Sequence, residues 1–236
     1  MDFSGIQQFD MQLLHVFNGS GNVWLDQAAA ALTSGLTWIP LYIVLLVVVI
    51  RNNERMGQIA LAVGGALLCV LLADGLADGI VKPLAERPRP CNDSLFKSSV
   101  QVVYGMRPQS FSFPSAHAAN TLSLAVFFSM MIRSRLMGWT LVLWSLANCW
   151  TRLYLGVHYP LDICCGMLLG LAVGFSVYLI YYKMYRRISP NIKYVSNQYT
   201  STGYDHDDID KVMTVMMLIL LYVVIRATVM AGCLQD

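Results

Sequence analysis

Charge is what this sequence has least of. Asp, Glu, Lys and Arg make up 13% of its residues and 56% are hydrophobic, whereas soluble domains carry about 25% charged residues. With a mean hydropathy of +0.55, the chain reads as an integral membrane protein. A formal net charge of only +2 leaves no strongly cationic surface, so no nucleic-acid partner is expected. The first thirty residues contain neither Lys nor Arg. Lacking a basic n-region and a small-residue cleavage site, they are not expected to be a removable signal peptide. Of the six cysteines, Cys69, Cys149, Cys164 and Cys165 fall inside apolar runs as small hydrophobes. That excludes a disulfide framework and leaves Cys91 and Cys233, near helix ends, as the one pair open to bonding. No carboxylate cluster with ligand spacing accompanies the histidines, so no metal or other cofactor is expected.

What is present is a series of apolar runs of about 18 to 23 residues, each long enough to cross a hydrocarbon core of about 30 Å. They predict an all-α bundle of six transmembrane helices in a single domain, 1–236. The spans are placed at about 34–50, from the polar turn at 51–55 to Lys82, and at about 116–132, 137–155, 161–183 and 211–232. Trp38 marks the start of the first as an interfacial aromatic. Pro83, Pro88 and Pro90 end the second. Before them, Phe3, Ile6, Phe9, Leu13 and Phe17 recur at helical spacing and predict a short amphipathic helix at the interface. Gly166, Gly170 and Gly174, four apart, predict close approach of a neighbouring helix in span five.

Six spans place both chain ends on one face, with the long 83–115 connection and the 156–160 turn. Arg51, Arg55, Arg133, Arg135, Lys183, Arg186, Arg187, Lys193 and Lys211 fall on the other, which the positive-inside rule makes cytoplasmic, together with the polar 184–210 connection. The cations left on the outer face, Lys82, Arg87, Arg89, Lys97, Arg107 and Arg152, surround the polar residues that carry chemistry.

Chief among these is Thr151-Arg-Leu-Tyr-Leu-Gly-Val-His158-Tyr-Pro-Leu-Asp162. Pro160 suits the first turn of a helix, so Asp162 begins span five with His158 just before it. A carboxylate on one ring nitrogen fixes the tautomer and frees the other nitrogen as nucleophile, base or ligand. Arg152 adds a permanent forked cation suited to phosphate. Lys82 with Arg89, and Pro114-Ser115-Ala116-His117 at the mouth of span three, reach the same boundary. Two histidines among obligate cations fit an oxyanion better than a metal, and suggest phosphoryl transfer.

Lys82-x6-Arg89-Pro90, Pro114-Ser115-Ala116-His117 and Thr151-Arg152-x5-His158-x3-Asp162 resemble, in order, the three motifs of the type-2 phosphatidic acid phosphatase superfamily of membrane lipid phosphatases. The resemblance implies that His158 is the nucleophile, forming a phosphohistidine; that Asp162 orients it; and that His117 is the general acid. It also implies that Lys82, Arg89, Ser115, Ala116 and Arg152 bind phosphate. Ala116 stands where glycine is usual and Thr151 where serine is usual; neither removes a catalytic group, since Ala116 keeps its backbone N–H and Thr151 its hydroxyl.

Among the remaining polar residues, Asp78 is expected to position Lys82 at i+4. Asn148 is expected either to support Arg152 or to bond between helices. Arg87 and Arg107 are headgroup candidates whose simpler reading is a solvated loop arginine. A phospholipid or polyprenyl phosphate is the expected partner: lipid A, undecaprenyl diphosphate, phosphatidylglycerophosphate or phosphatidic acid. Short loops suggest a bacterial inner membrane with a periplasmic site, the alternative being the lumenal face of the endoplasmic reticulum. A transporter with a basic anion path is the competing function, and broken spans would favour it. Oligomeric state is left open.

Overall fold

The structure, a computed structural model, describes residues 3–188 and 198–233. Part of the 184–210 connection, including Lys193, and the side chain of Phe3 lie outside the described residues. The helices are α1 (Phe3–Phe17), α2 (Val23–Thr33), α3 (Ile39–Arg51), α4 (Met56–Leu76), α5 (Lys82–Ala85), α6 (Ala116–Ile132), α7 (Arg135–Tyr154), α8 (Pro160–Ile188) and α9 (His206–Gly232). Among the described residues there is no strand, only one isolated bridge between Tyr199 and Asp205.

Among the described residues three stretches are long and apolar enough to cross a membrane: Met56–Ala85, α8 and α9. Val23–Thr33 with Gly35–Arg51 makes a fourth only if joined across a 65° bend. α6 is apolar but shorter, with most of its length buried between neighbours. α7, which carries Ser145, Asn148, Thr151 and Arg152, is not among the qualifying helices. Interior helices need little lipid-facing surface, and hydropathy alone under-reports them.

Three details correct the sequence expectations here. Residues 23–33 form a helix, capped by the Asn22 carboxamide oxygen, which accepts from the N–H groups of Trp24 (2.9 Å) and Leu25 (3.2 Å). Trp38 is buried rather than interfacial. It sits in the 3₁₀ turn Gly35–Trp38 that follows the break at Ser34, donates its indole N–H to the Leu32 carbonyl (2.8 Å), and packs edge-on against Trp144 at 5.7 Å. A helix break leaves carbonyls without partners, and a buried carbonyl must find one. Span two also runs one turn beyond Lys82. A π-helical turn, Ala77–Val81, precedes Lys82–Ala85, and the helix ends at Glu86 with φ 45°. The wider turn accommodates Pro83, which has no N–H to give.

α6 and α8 form the tightest pair. A Cβ added at Gly166, Gly170 or Gly174 would lie 2.4, 2.5 and 2.5 Å from the carbonyl oxygens of Ser115, Ala119 and Ser123. Only glycine permits backbones so close. The contact sets the starts of both helices side by side, where the Ser115 N–H donates to the Asp162 carbonyl (3.0 Å).

The two ends of the bundle differ. At one, Thr202 donates to the Ile132 carbonyl, Asn52 to Asp208, and Arg55 to the Ile188 carbonyl. At the other, the 86–115 connection covers the end of α7 and the starts of α6 and α8, with α1 and α2 packed beside it. There Asn18 donates to the carbonyls of Gln101 (2.9 Å) and Tyr154 (3.0 Å). Cys91 is a buried free thiol and Cys233 an exposed one, so the two do not pair.

Candidate active site

The glycine-tight α6–α8 contact brings together what the sequence separates. Ser115 caps α6, its fully buried hydroxyl accepting from the Ala118 N–H (3.4 Å). Ala116 and His117 follow as the first helical residues, whose N–H groups have no acceptor within the helix. Across from them, Gly156 at φ 66° turns the chain out of α7 and Pro160 starts α8. His158 is held in that turn, 1% exposed. His117 is exposed at the mouth, close enough to act electrostatically on His158.

Arg89 Nη1 lies 3.1 Å from His158 Nε2. A guanidinium has only donors to offer, so Nε2 is the acceptor and the ring proton sits on Nδ1. That nitrogen faces Asp162 Oδ2 at 3.5 Å and has no other partner among the described residues. At that separation the two make no hydrogen bond. Burial first, then the Arg89, Arg152 and Lys82 cations, hold the imidazole pKa well below its usual 6.5. The ring is therefore neutral at neutral pH, with a lone pair at Nε2.

The cations fall into two classes. Lys82 is paired with Asp78 (2.6 Å), as i+4 spacing predicts. Arg89, 4% exposed, donates to the Ser110 carbonyl (2.7 Å), Ser110 Oγ (2.9 Å) and the Val157 carbonyl (3.0 Å). Arg152 donates from Nη1 to Thr33 Oγ1 (2.8 Å), while its Nε is buried without a partner. Among the described residues neither of these arginines has a carboxylate. Two guanidiniums beside a neutral imidazole, neither paired directly with a carboxylate among the described residues, suit an anion.

Arg87 is not a solvated loop arginine. It donates to Asp162 Oδ1 (2.7 Å) and Asp10 Oδ2 (2.6 Å), and its guanidinium lies 4.0 Å over the Tyr159 ring. Burial pushes the Asp10 pKa up, and the Arg87 contact opposes that shift. Asp10 went unassigned in the sequence. It lies within one turn of Ile6 and Leu13, at the edge of the apolar stripe of α1, and no local pattern ties it to Arg87. Arg107 stays exposed and donates to the Cys91 carbonyl. Asn148 does neither of the things expected of it: its amide donates to Trp144 within its own helix (2.9 Å). Asp74 accepts from Asn120 (2.6 Å) rather than pairing with a cation. Among the described residues no group of three or more His, Cys, Asp or Glu is arranged to hold a metal ion.

The sequence profile of the PAP2 superfamily matches residues 63–186, from the middle of α4 to the end of α8, the segment that contains all three motifs. The chain belongs to the PAP2 superfamily. Among curated relatives, this PAP2 chain is 35% identical over 184 residues to the lipid A 4'-phosphatase of Bacteroides thetaiotaomicron, covering 78% of this chain and 81% of that one. It is 33% identical over 178 residues to the lipid A 4'-phosphatase of Porphyromonas gingivalis, covering 75% and 74%. Among solved structures, the crystal structure of Aquifex aeolicus LpxE superposes with a TM-score of 0.54 at 24% identity, over 73% of this chain and 92% of that one. That likeness concerns the fold. The matched segment leaves out α1 and α2, which nonetheless bring Asp10 to Arg87 and Thr33 to Arg152.

Proposed function

We propose that the chain is a six-span membrane lipid phosphatase working through a phosphohistidine. The single observation that carries the reading is the pair of guanidiniums, Arg89 and Arg152, set without carboxylate partners around His158. A phosphate monoester arriving there replaces His158 as an acceptor for Arg89. That frees the Nε2 lone pair to attack phosphorus. The P–N bond forms as the bond to the lipid oxygen breaks, His117 gives that oxygen a proton, and the N–H groups of Ala116 and His117 with Lys82, Arg89 and Arg152 hold the phosphoryl oxygens. Water, deprotonated by His117, then cleaves the P–N bond and releases phosphate. The role of Asp162 is to stabilise the positive charge that His158 acquires on attack, as a carboxylate does for an attacking imidazole.

A lipid A-type phosphate is the substrate this reading ranks first. The support is that the lipid A 4'-phosphatases named above align over most of both chains. An apolar groove of about 420 Å³ among α3, α4 and α6, lined by Leu46, Val63, Leu67 and Phe128, ends at Asn120, one turn below His117. An acyl chain fits such a groove. The Lys/Arg asymmetry supports a site on the periplasmic side of a bacterial inner membrane. Against the transporter reading, the helix break at Ser34 is filled by Trp38 rather than opening a path.

The test is phosphate release by purified protein from lipid A, undecaprenyl diphosphate, phosphatidylglycerophosphate and phosphatidic acid, with and without EDTA. Release from lipid A that survives chelation is expected. No release from any of them would overturn the phosphatase reading, and loss on chelation restored by a divalent ion would overturn the metal-free mechanism.

A further inference from the structure

α1 lies outside the segment that matches the family profile, yet it reaches the reacting centre. Asp10, buried on its inner face, makes two contacts at once: Oδ2 accepts from Arg87 Nη2 (2.6 Å) and Oδ1 from the Leu161 N–H (2.9 Å). The first passes through Arg87 to Asp162 Oδ1 (2.7 Å); the second fixes the first turn of α8, which carries Asp162. Asp162 Oδ2 is held in turn by the Tyr159 N–H (2.9 Å), which leaves the carboxylate facing His158 Nδ1. Each freedom Asp162 has, rotation of its carboxylate and shift of its helix turn, is restrained from one atom or the other of Asp10.

Stability is a poor reason for this arrangement. Sinking two carboxylates and a guanidinium into a protein costs several kcal/mol per ion, and an apolar replacement is often neutral or better. Positioning is the use that remains. Beside Asp10, α1 exposes Ile6, Phe9, Leu13 and Val16, an apolar stripe suited to the lipid interface from which a lipid substrate would arrive.

We infer that α1 is a working part of the active site and that Asp10 is a positioning residue, acting through Arg87 and Leu161 to hold Asp162 against His158. This rests on the phosphatase reading above. The test uses the full chain in lipid nanodiscs and compares wild type with Asp10→Asn, Asp10→Glu, Asp162→Asn and the Asp10→Asn/Asp162→Asn double variant. Steady-state phosphate release gives kcat and KM, and mass spectrometry gives the rate at which diethyl pyrocarbonate modifies His158.

Asp10→Asn should lower kcat by about 10–100-fold, a fraction of a general acid–base effect, with KM within about 2-fold; Asp10→Glu should recover part of the loss. In the Asp162→Asn background Asp10→Asn should have no further effect on kcat, because the two act as one unit. His158 should be modified severalfold faster in Asp10→Asn than in wild type. Equal loss in both backgrounds, or a loss confined to thermal stability or KM, would show a merely structural role and overturn the inference. So would wild-type kcat in Asp10→Asn. Should the wild type release no phosphate at all, the phosphatase reading fails instead, and the inference is then decided by His158 modification: an unchanged rate overturns it.

Discussion

Each end of the bundle holds a buried aspartate flanked by cations, and the two do different work. Asp208 accepts from Lys211 (2.6 Å) and lies 3.2 Å from Arg51, but those cations are 52% and 58% exposed. Their charges are solvated whether or not Asp208 is there. Asp162 is fully buried and its partner Arg87 is 15% exposed, itself shared with Asp10. Around Asp162, moreover, Arg89 and Arg152 have no carboxylate among the described residues. At the Asp208 end the charges are balanced by one another and by water. At the Asp162 end charge is left over, and only an anionic visitor balances it. An aspartate with two basic neighbours is thus not a functional signal in itself; buried cations in excess of carboxylates are.

Removing each aspartate's charge should separate the ends most sharply. Asp162→Asn should retain substrate binding and lose about 10²–10⁴-fold in kcat, the scale seen when a carboxylate that orients a catalytic imidazole is neutralised. Asp208→Asn should leave kcat unchanged within about 2-fold and lower stability by at most about 1 kcal/mol, as for solvent-screened pairs. Phosphate-release kinetics and thermal unfolding measured on both variants check this. Equal kinetic losses would erase the distinction between the two ends.

A second comparison sets Arg89 against Arg51. Arg89→Gln removes a buried cation beside His158 and should cost about 10²–10³-fold in kcat/KM, the usual worth of one such donor. Arg51→Gln, at the solvated end, should cost nothing measurable in the same assay.

The smallest effect is in pH. His158 must be neutral to attack, so activity falls as pH drops through its pKa. Burial and the neighbouring cations depress that pKa below 6.5, so the acid limb of kcat/KM should lie below pH 6.5. Arg89→Gln relieves part of the depression and should move the limb upward, toward 6.5. A limb already at or above 6.5 in the wild type would contradict the buried, neutral imidazole.

How much of this was legible in the sequence depended on whether the cause was local. The six apolar runs appear as helices close to their expected places, though among the described residues length and composition qualify only three of them as spans, or four with the bent pair. Asp78 and Lys82 meet because i+4 spacing on a helix leaves them little choice. The glycine repeat announced the α6–α8 approach that brings Ser115 and His117 to Asp162. Partners chosen by tertiary packing were not legible. Asp10 and Arg87 are 77 residues apart, and nothing in either segment names the other. The turn to a buried Trp38 followed from the break at Ser34, whose freed carbonyls needed donors. α2 was not legible, because its short alanine-rich run lacks the length that marks a span. Arg87 illustrates the general difficulty: a loop arginine reads as solvated until the fold shows two carboxylates beneath it.

The central claim is that His158 becomes covalently bonded to phosphorus, and rapid-quench labelling tests it most directly. Radiolabelled lipid phosphate would be mixed with purified protein, quenched within milliseconds in alkali, which preserves phosphohistidine, and the labelled peptide identified. The account predicts label on the peptide that contains His158, none in His158→Ala, and label still formed in Asp162→Asn at a much lower rate. Label trapped by His158→Ala, or full turnover in that variant, would contradict it.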